Sequence, residues 1–221
     1  MTTPSASHNP PGAEVADKIV IVIDDDQSMR ETLGRLFRSV GMQVRLFSSA
    51  SELLATRLPD TAACIVLDVR LPGPSGFELQ TELAKQNVRV PIVFITGHGD
   101  IPMSVRAMKA GAIDFLIKPF REQDLLDAVN QALELDSKRR IEDEEIATLR
   151  SLYDALTPRQ REVMLLVTNG LMNKQIAGHL GLSEITVKIH RGDVMKKMKA
   201  KSLADLVRMA EALRIKERHS T

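Results

Sequence analysis

The chain has 221 residues, with 30 Lys and Arg against 29 Asp and Glu, one cysteine and no tryptophan. At 43% hydrophobic residues it can fill a core in each of two small domains, and its length suits two better than one. The single Cys64 excludes an intrachain disulfide framework, and the longest apolar run near the start, Ile19–Ile23, is too short for a signal peptide or a membrane span, so a soluble cytoplasmic protein without membrane partners is expected.

Residues 1–17 are rich in Ser, Thr, Pro, Gly and Asn without periodicity and are expected to be a disordered tail. A rhythm then begins in which short apolar runs alternate with amphipathic stretches. Ile19–Ile23 precedes Ser28–Val40, Val44–Phe47 precedes Ser51–Leu58, and Cys64–Leu67 precedes Gly76–Gln86. Ile92–Ile95 then precedes Pro102–Ala110, and Phe115–Ile117 precedes Glu122–Leu135. Five such βα units predict a parallel sheet covered by helices on both faces, over residues 18–135. Cys64 falls inside one of these strands and reads as a small buried hydrophobe.

Residues 136–155 read as a helical linker. Asp136–Glu145 is almost wholly charged, the pattern of a solvated face. Ile146, Leu149, Leu152 and Tyr153 then restore helical spacing, which suits either a dimer seam or a helix resting on one domain. Leu156-Thr157-Pro158 restarts the chain with a good N-cap followed by Pro at the first helical position. Four short helices fit residues 156–221, with breaks at Asn169-Gly170 and Gly181-Leu182-Ser183.

In a doubly wound parallel sheet, ligands bind at the carboxyl ends of the strands. Here those ends carry Asp24-Asp25-Asp26, Asp68, Thr96 and Lys118-Pro119. If the first and third strands are neighbours, several carboxylates converge and cannot all ionise cheaply. A hard divalent cation relieves this, and an all-oxygen site suits Mg2+. Such a site can draw a phosphoryl group onto one carboxylate, with Lys118 and the Thr96 hydroxyl holding the remaining oxygens.

The stretches Val22–Asp26, Val66–Pro72, Ile95–Asp100 and Ile117–Phe120 resemble the receiver domains of two-component response regulators, and the run Thr96–Phe120 is similar to the FixJ class. The resemblance implies a flavodoxin-like receiver in which Asp68 accepts the phosphoryl group from a sensor histidine kinase. It further implies Mg2+ held by Asp24, Asp25, Asp68 and the Arg70 carbonyl, sensing by Thr96 and Lys118, Phe115 as a rotating switch, and a cis Lys118–Pro119 peptide. A competing pattern is also present. Ile23–Ser28 fits the Asp-x-Asp-x-Ser of haloacid dehalogenase phosphatases, with Asp24 as nucleophile and Asp26 as general acid. That reading leaves Asp68 idle, finds no late acidic loop and gives residues 156–221 no task. The chain is therefore not expected to be an enzyme beyond its own aspartyl phosphorylation and dephosphorylation.

Residues 156–221 hold 13 Lys and Arg against 6 Asp and Glu, a net of +7 that leaves −6 for the remainder. A basic half beside an acidic one suggests a polyanionic partner. Asn173–Leu180, a Gly-containing turn and Glu184–Met198 have the spacing of a helix-turn-helix. In the last of these helices Val187, Val194 and Met198 share an inward face, with Arg191 at its edge. Lys188, Ile189, Gly192 and Lys196 face outward, where Lys188 suits guanine and Ile189 a thymine methyl. Gly192 weakens a helix interior, and close approach to a duplex is one compensation. Asp193 is expected to pair with Lys197 one turn on rather than read cytosine.

Leu156–Val163, Gly170–Ala177, Thr186–Arg191 and Met195–Leu203 resemble LuxR-type helix-turn-helix domains, the last again similar to FixJ. Lys174, Thr186, Lys188, Ile189, Arg191, Lys196, Lys197 and Lys201 are the candidate DNA contacts. Some members of the family have a basic residue where this chain has Gly192. The resemblance implies double-stranded promoter DNA and RNA polymerase as partners, and a homodimer on phosphorylation. A basic helix alone also fits a protein-interaction module, but the helix-turn-helix spacing and the charge imbalance favour DNA. RNA is disfavoured by the lack of stacking aromatics other than Tyr153.

Overall fold

The structure, a computed structural model, describes residues 18–215. The expected tail of residues 1–17 lies outside them. The chain divides into two compact units between Arg140 and Ile141. Among the described residues no helix is long and apolar enough to cross a membrane.

The first unit is an α/β sandwich. Strands β1 (Ile19–Ile23), β2 (Gln43–Phe47), β3 (Ala63–Asp68), β4 (Ile92–Thr96) and β5 (Asp114–Ile117) form one parallel sheet in the order β2-β1-β3-β4-β5. The central strands bury every residue, which is why they read as unbroken Ile/Val/Leu runs, whereas edge strand β2 alternates polar and apolar positions. Helices α1 (Gln27–Ser39), α2 (Ala50–Leu54), α3 (Gly76–Lys85), α4 (Ile101–Lys109) and α5 (Glu122–Asp154) connect and follow the strands. Alternate residues of each strand feed two cores. Ile21, Ile23, Ile65, Leu67 and Phe94 pack on one face, and Val20, Val22, Val66, Ile95 and Leu125 on the other. Cys64 is fully buried in the second core, and burial, with the nearby charge of Asp136, pushes its thiol pKa up, as suits a residue used for packing.

Strand order reverses direction at β1, which has β2 on one side and β3 on the other. This is the switch point where loops diverge and leave a crevice at the strand ends. Asp24 follows β1, and Asp68 ends β3.

Helix α5 is one continuous element of 33 residues. Its start buries Leu125, Ala128, Val129, Ala132 and Leu133 in the second core. Asp136 departs from the expected solvated run, being fully buried. Its carboxylate accepts from the Ala63 N–H at 2.9 Å and from Arg140 Nε at 2.9 Å, and also pairs with Arg139. Arg139 donates to the Arg89 carbonyl and Arg140 to Asp60, so residues expected in the linker are tied into the first unit. Further along, Leu149, Leu152 and Tyr153 pack against the core of the second unit, the second of the two roles their spacing allowed.

The second unit is all α, with α6 (Pro158–Thr168), α7 (Asn173–Leu180), α8 (Glu184–Lys197) and α9 (Leu203–Ala212) around Val163, Met164, Ile176, Val187, Val194, Met198 and Leu206. Thr157 and Gln160 cap α6 reciprocally. Helix α7 ends in Gly181 at φ 62° and ψ 39°, the left-handed geometry that turns the chain into Ser183, the N-cap of α8.

Candidate functional site

Three carboxylates meet at the switch point. Asp24 and Asp68 are buried and Asp25 is exposed, and one oxygen from each lies within 4.8 Å of the others. Such a cluster of carboxylate oxygens is compatible with a hard divalent cation. Asp26, expected nearby by sequence, points elsewhere: its carboxylate caps α1 through the N–H groups of Ser28 and Met29. The Asp24 backbone carbonyl accepts from Arg30 Nη1 at 2.6 Å, a contact six residues along the chain that the strand-end pattern did not indicate.

Lys118, at the end of β5, reaches back across the sheet. Its Nζ donates to Asp24 Oδ2 and Asp68 Oδ2, each at 2.7 Å. Burial raises the Asp24 pKa above the ordinary carboxylate value, against the opposing pull of the Lys118 hydrogen bond and charge. Burial also works against the charged Lys118, but hydrogen bonds and charge from the two aspartates outweigh it and raise its pKa. One cation thus serves two buried carboxylates, so an added positive charge is the arrangement's evident need.

Asp68 is further oriented by the Arg70 N–H, which donates to its Oδ1 at 2.9 Å. Gly76, opening α3, lies so close that a Cβ there would stand 2.5 Å from the Asp68 carbonyl oxygen. Thr96 is fully buried, its Oγ1 accepts from the His98 N–H at 3.3 Å, and its carbonyl accepts from the Lys118 N–H at 2.7 Å. The Lys118–Pro119 peptide is cis, as the resemblance implied. Phe115 is half-buried, with its ring centroid 6.3 Å from that of Phe94.

The basic unit presents its own surface. Along α8, Val187, Val194 and Met198 are buried, while Lys188, Gly192, Lys196 and Ile189 are exposed, Ile189 at 60%. Residues 20–130 match the family described as response regulator receiver domain, and residues 154–210 match bacterial regulatory proteins of the luxR family. This chain is a response regulator of the FixJ/NarL class. It is 61% identical to nodulation protein W of Bradyrhizobium diazoefficiens over 91% of this chain and 89% of that protein. It is 43% identical to the transcriptional regulatory protein FixJ of Azorhizobium caulinodans over 86% of this chain and 90% of that one. Among solved structures, the response regulator StyR is 53% identical with a TM-score of 0.80, covering 89% of this chain and 99% of that chain. The molecule is therefore a transcriptional regulator with a receiver domain and a LuxR-type DNA-binding domain.

The response regulator's expected DNA contacts divide into two groups. Lys174, Lys188, Ile189, Lys196 and Lys201 are exposed, Lys201 using only its backbone N–H to reach Asp205. The others are engaged within the fold. Arg191 Nη1 donates to Asn173 Oδ1 at 3.0 Å, linking α8 to the start of α7, and the Thr186 hydroxyl joins Ser183 in the α8 cap. The expected Asp193–Lys197 pair is replaced by a bridge. Gln160 of α6 donates to Asp193 at 3.4 Å and accepts from Lys197 at 2.9 Å, because α6 packs where the two charges would otherwise meet. Ile185, 74% exposed on the same outward face as Ile189, was not among the candidates. The signal was present in the sequence, since residues 185, 189, 192 and 196 follow helical spacing.

Proposed function

We propose that this response regulator takes a phosphoryl group onto Asp68 from a sensor histidine kinase and, so modified, dimerises and binds promoter DNA to regulate transcription in the cytoplasm, with RNA polymerase as a further partner. The observation that carries the reading is the Asp24–Asp25–Asp68 cluster bridged by Lys118. Asp24, Asp25, Asp68 and the Arg70 carbonyl would hold Mg2+. When bound, the ion supplies the positive charge that lets a phosphoryl group approach clustered carboxylates. An oxygen of Asp68 attacks phosphorus, and the phosphorus–nitrogen bond of the donor histidine breaks with its electron pair left on the imidazole. The Lys118 ammonium, already 2.7 Å from Asp68, is placed to exchange that contact for a phosphoryl oxygen. The Thr96 hydroxyl supplies another contact, and Phe115 follows inward. No catalysis of other substrates is proposed, since Asp26, the general acid of the phosphatase pattern, is used as a helix cap.

Dimerisation would use the fourth and fifth βα units. Exposed Ile101, Val105, Met108 and Ile117 give that surface an apolar character unusual for a monomer's exterior. The decisive experiment is incubation with acetyl phosphate and Mg2+, then mapping of the modified residue by mass spectrometry. Label is expected on Asp68 alone, with none in Asp68→Asn or without Mg2+. Label on Asp24 would favour the phosphatase pattern instead.

A further inference from the structure

The outward face of α8 carries two isoleucines for which the fold has no use. Ile185 is 74% exposed and Ile189 60%. Four residues apart, they stand one above the other, and Gly192 and Lys196 continue the same face. Single exposed apolar residues call for no explanation, but these two are adjacent, on a face that Lys196 continues and exposed Lys188 borders, and Lys174 is exposed on α7. Gly192 is equally unexplained by the fold. A Cβ there would meet nothing within 4 Å, and alanine would serve the helix better. The missing Cβ matters only to a partner that approaches α8 from outside.

We propose that Ile185 and Ile189 form an apolar ridge that reads thymine methyl groups in the major groove of the operator, with Gly192 as the notch that lets the duplex come close. The inference rests on the DNA-binding reading and extends it to the chemistry of the bases selected. Lys174 and Lys196 suit phosphate, whose contacts are sequence-independent, whereas Lys188 suits guanine. Of the four bases, only thymine presents a methyl group in the major groove. Both isoleucines lie in the first half of the helix, the part that reaches base edges in helix-turn-helix domains. Four residues rise about 6 Å along the helix, close to two base-pair steps of about 3.4 Å each, so the two thymines should lie within two steps.

The test begins with selection of duplexes from a random-core library by the full chain, with and without acetyl phosphate and Mg2+. Each dT of the selected duplex is then replaced by dU, which removes only the methyl. Two positions are expected at which the replacement weakens binding about fourfold, the worth of one buried methyl. Ile185→Ala should abolish sensitivity at one of them and Ile189→Ala at the other. Gly192→Ala should bind at least about tenfold more weakly while its unfolding midpoint rises. Indifference to every dU, or an Ile185→Ala variant that keeps both sensitivities, would overturn the ridge while leaving DNA regulation intact. Wild-type affinity in Gly192→Ala would overturn the notch. Failure to bind any duplex would overturn the DNA reading itself and this inference with it.

Discussion

Asp24 shows what burial costs a single carboxylate. Its folded-state pKa lies above the ordinary 3.8, chiefly through burial, so the folded chain holds that proton more tightly than the unfolded chain. The stabilising contribution is complete below the unfolded value and is lost as pH rises through the folded one. Wherever Asp24 is ionised, its burial therefore opposes folding. Asp24→Asn retains an oxygen for the Asp26 N–H and is expected to raise the thermal midpoint in chelator, while abolishing the stabilisation that added Mg2+ gives the wild type. Melting curves at pH 7 with and without Mg2+ check this, and a lowered midpoint in chelator would contradict it. Asp24, Asp68, Thr96 and Lys118 were legible in the sequence because each sits where an apolar run stops. Asp136 was not. A carboxylate within a charged run carries no mark of burial, and the Ala63 N–H that it meets is 73 positions away. The same holds for Lys197, whose partner Gln160 is 37 positions away and polar, so that helical spacing pointed to Asp193 instead.

At the scale of elements, the cores follow hydrophobic periodicity closely, and element ends shift by a residue or a few. Helix α2 is the largest departure, stopping at Leu54 rather than Leu58. Helix α5 combines both kinds of information. Its apolar stripe was readable as far as Leu135, but the carboxylate that fixes the following turn to β3 was not. Removing one member of a buried charged cluster strands the others, so Asp136→Ala is expected to destabilise the receiver by about 3 kcal/mol. The partner arginines keep partial contact with water, which holds the cost at the low end of the range. Urea unfolding monitored on the receiver transition measures it. In the second unit, Met164 is fully buried between helices, and Met164→Ala should cost about 2–5 kcal/mol of that unit's stability in the same experiment. Lys188→Ala should leave stability unchanged. It is expected to weaken a specific duplex by roughly 1–3 kcal/mol and random DNA by much less, as titrations on both duplexes would show.

For the whole molecule, Asp68 and helix α8 lie in separate units, so the proposed function requires a two-state element that connects them. Phosphorylation is expected to shift the protein from monomer to dimer at micromolar concentration, which sedimentation with and without acetyl phosphate resolves. Thr96→Ala should still accept the phosphoryl group yet dimerise weakly, since it lacks the hydroxyl proposed to contact that group. Two joined helix-turn-helix units, about 34–36 Å apart, suit half-sites one helical turn apart, and their linkage raises affinity without new base contacts. The two-unit organisation was visible in the change from βα alternation to short helices and in the opposite charges of the halves. The exposed apolar side chains of α4 were less visible, since Ile101, Val105 and Met108 follow the same helical pattern as core residues, and only the fold reveals that they face outward.

Whether chemistry at Asp68 controls DNA affinity is tested most directly by fluorescence anisotropy of a selected operator duplex, titrated with the wild-type chain and with Asp68→Asn in Mg2+, with and without acetyl phosphate. The donor should tighten wild-type binding by roughly tenfold or more, through linkage of two DNA-binding units, and leave Asp68→Asn unchanged. Equal tightening of both proteins, or of neither, would contradict the account.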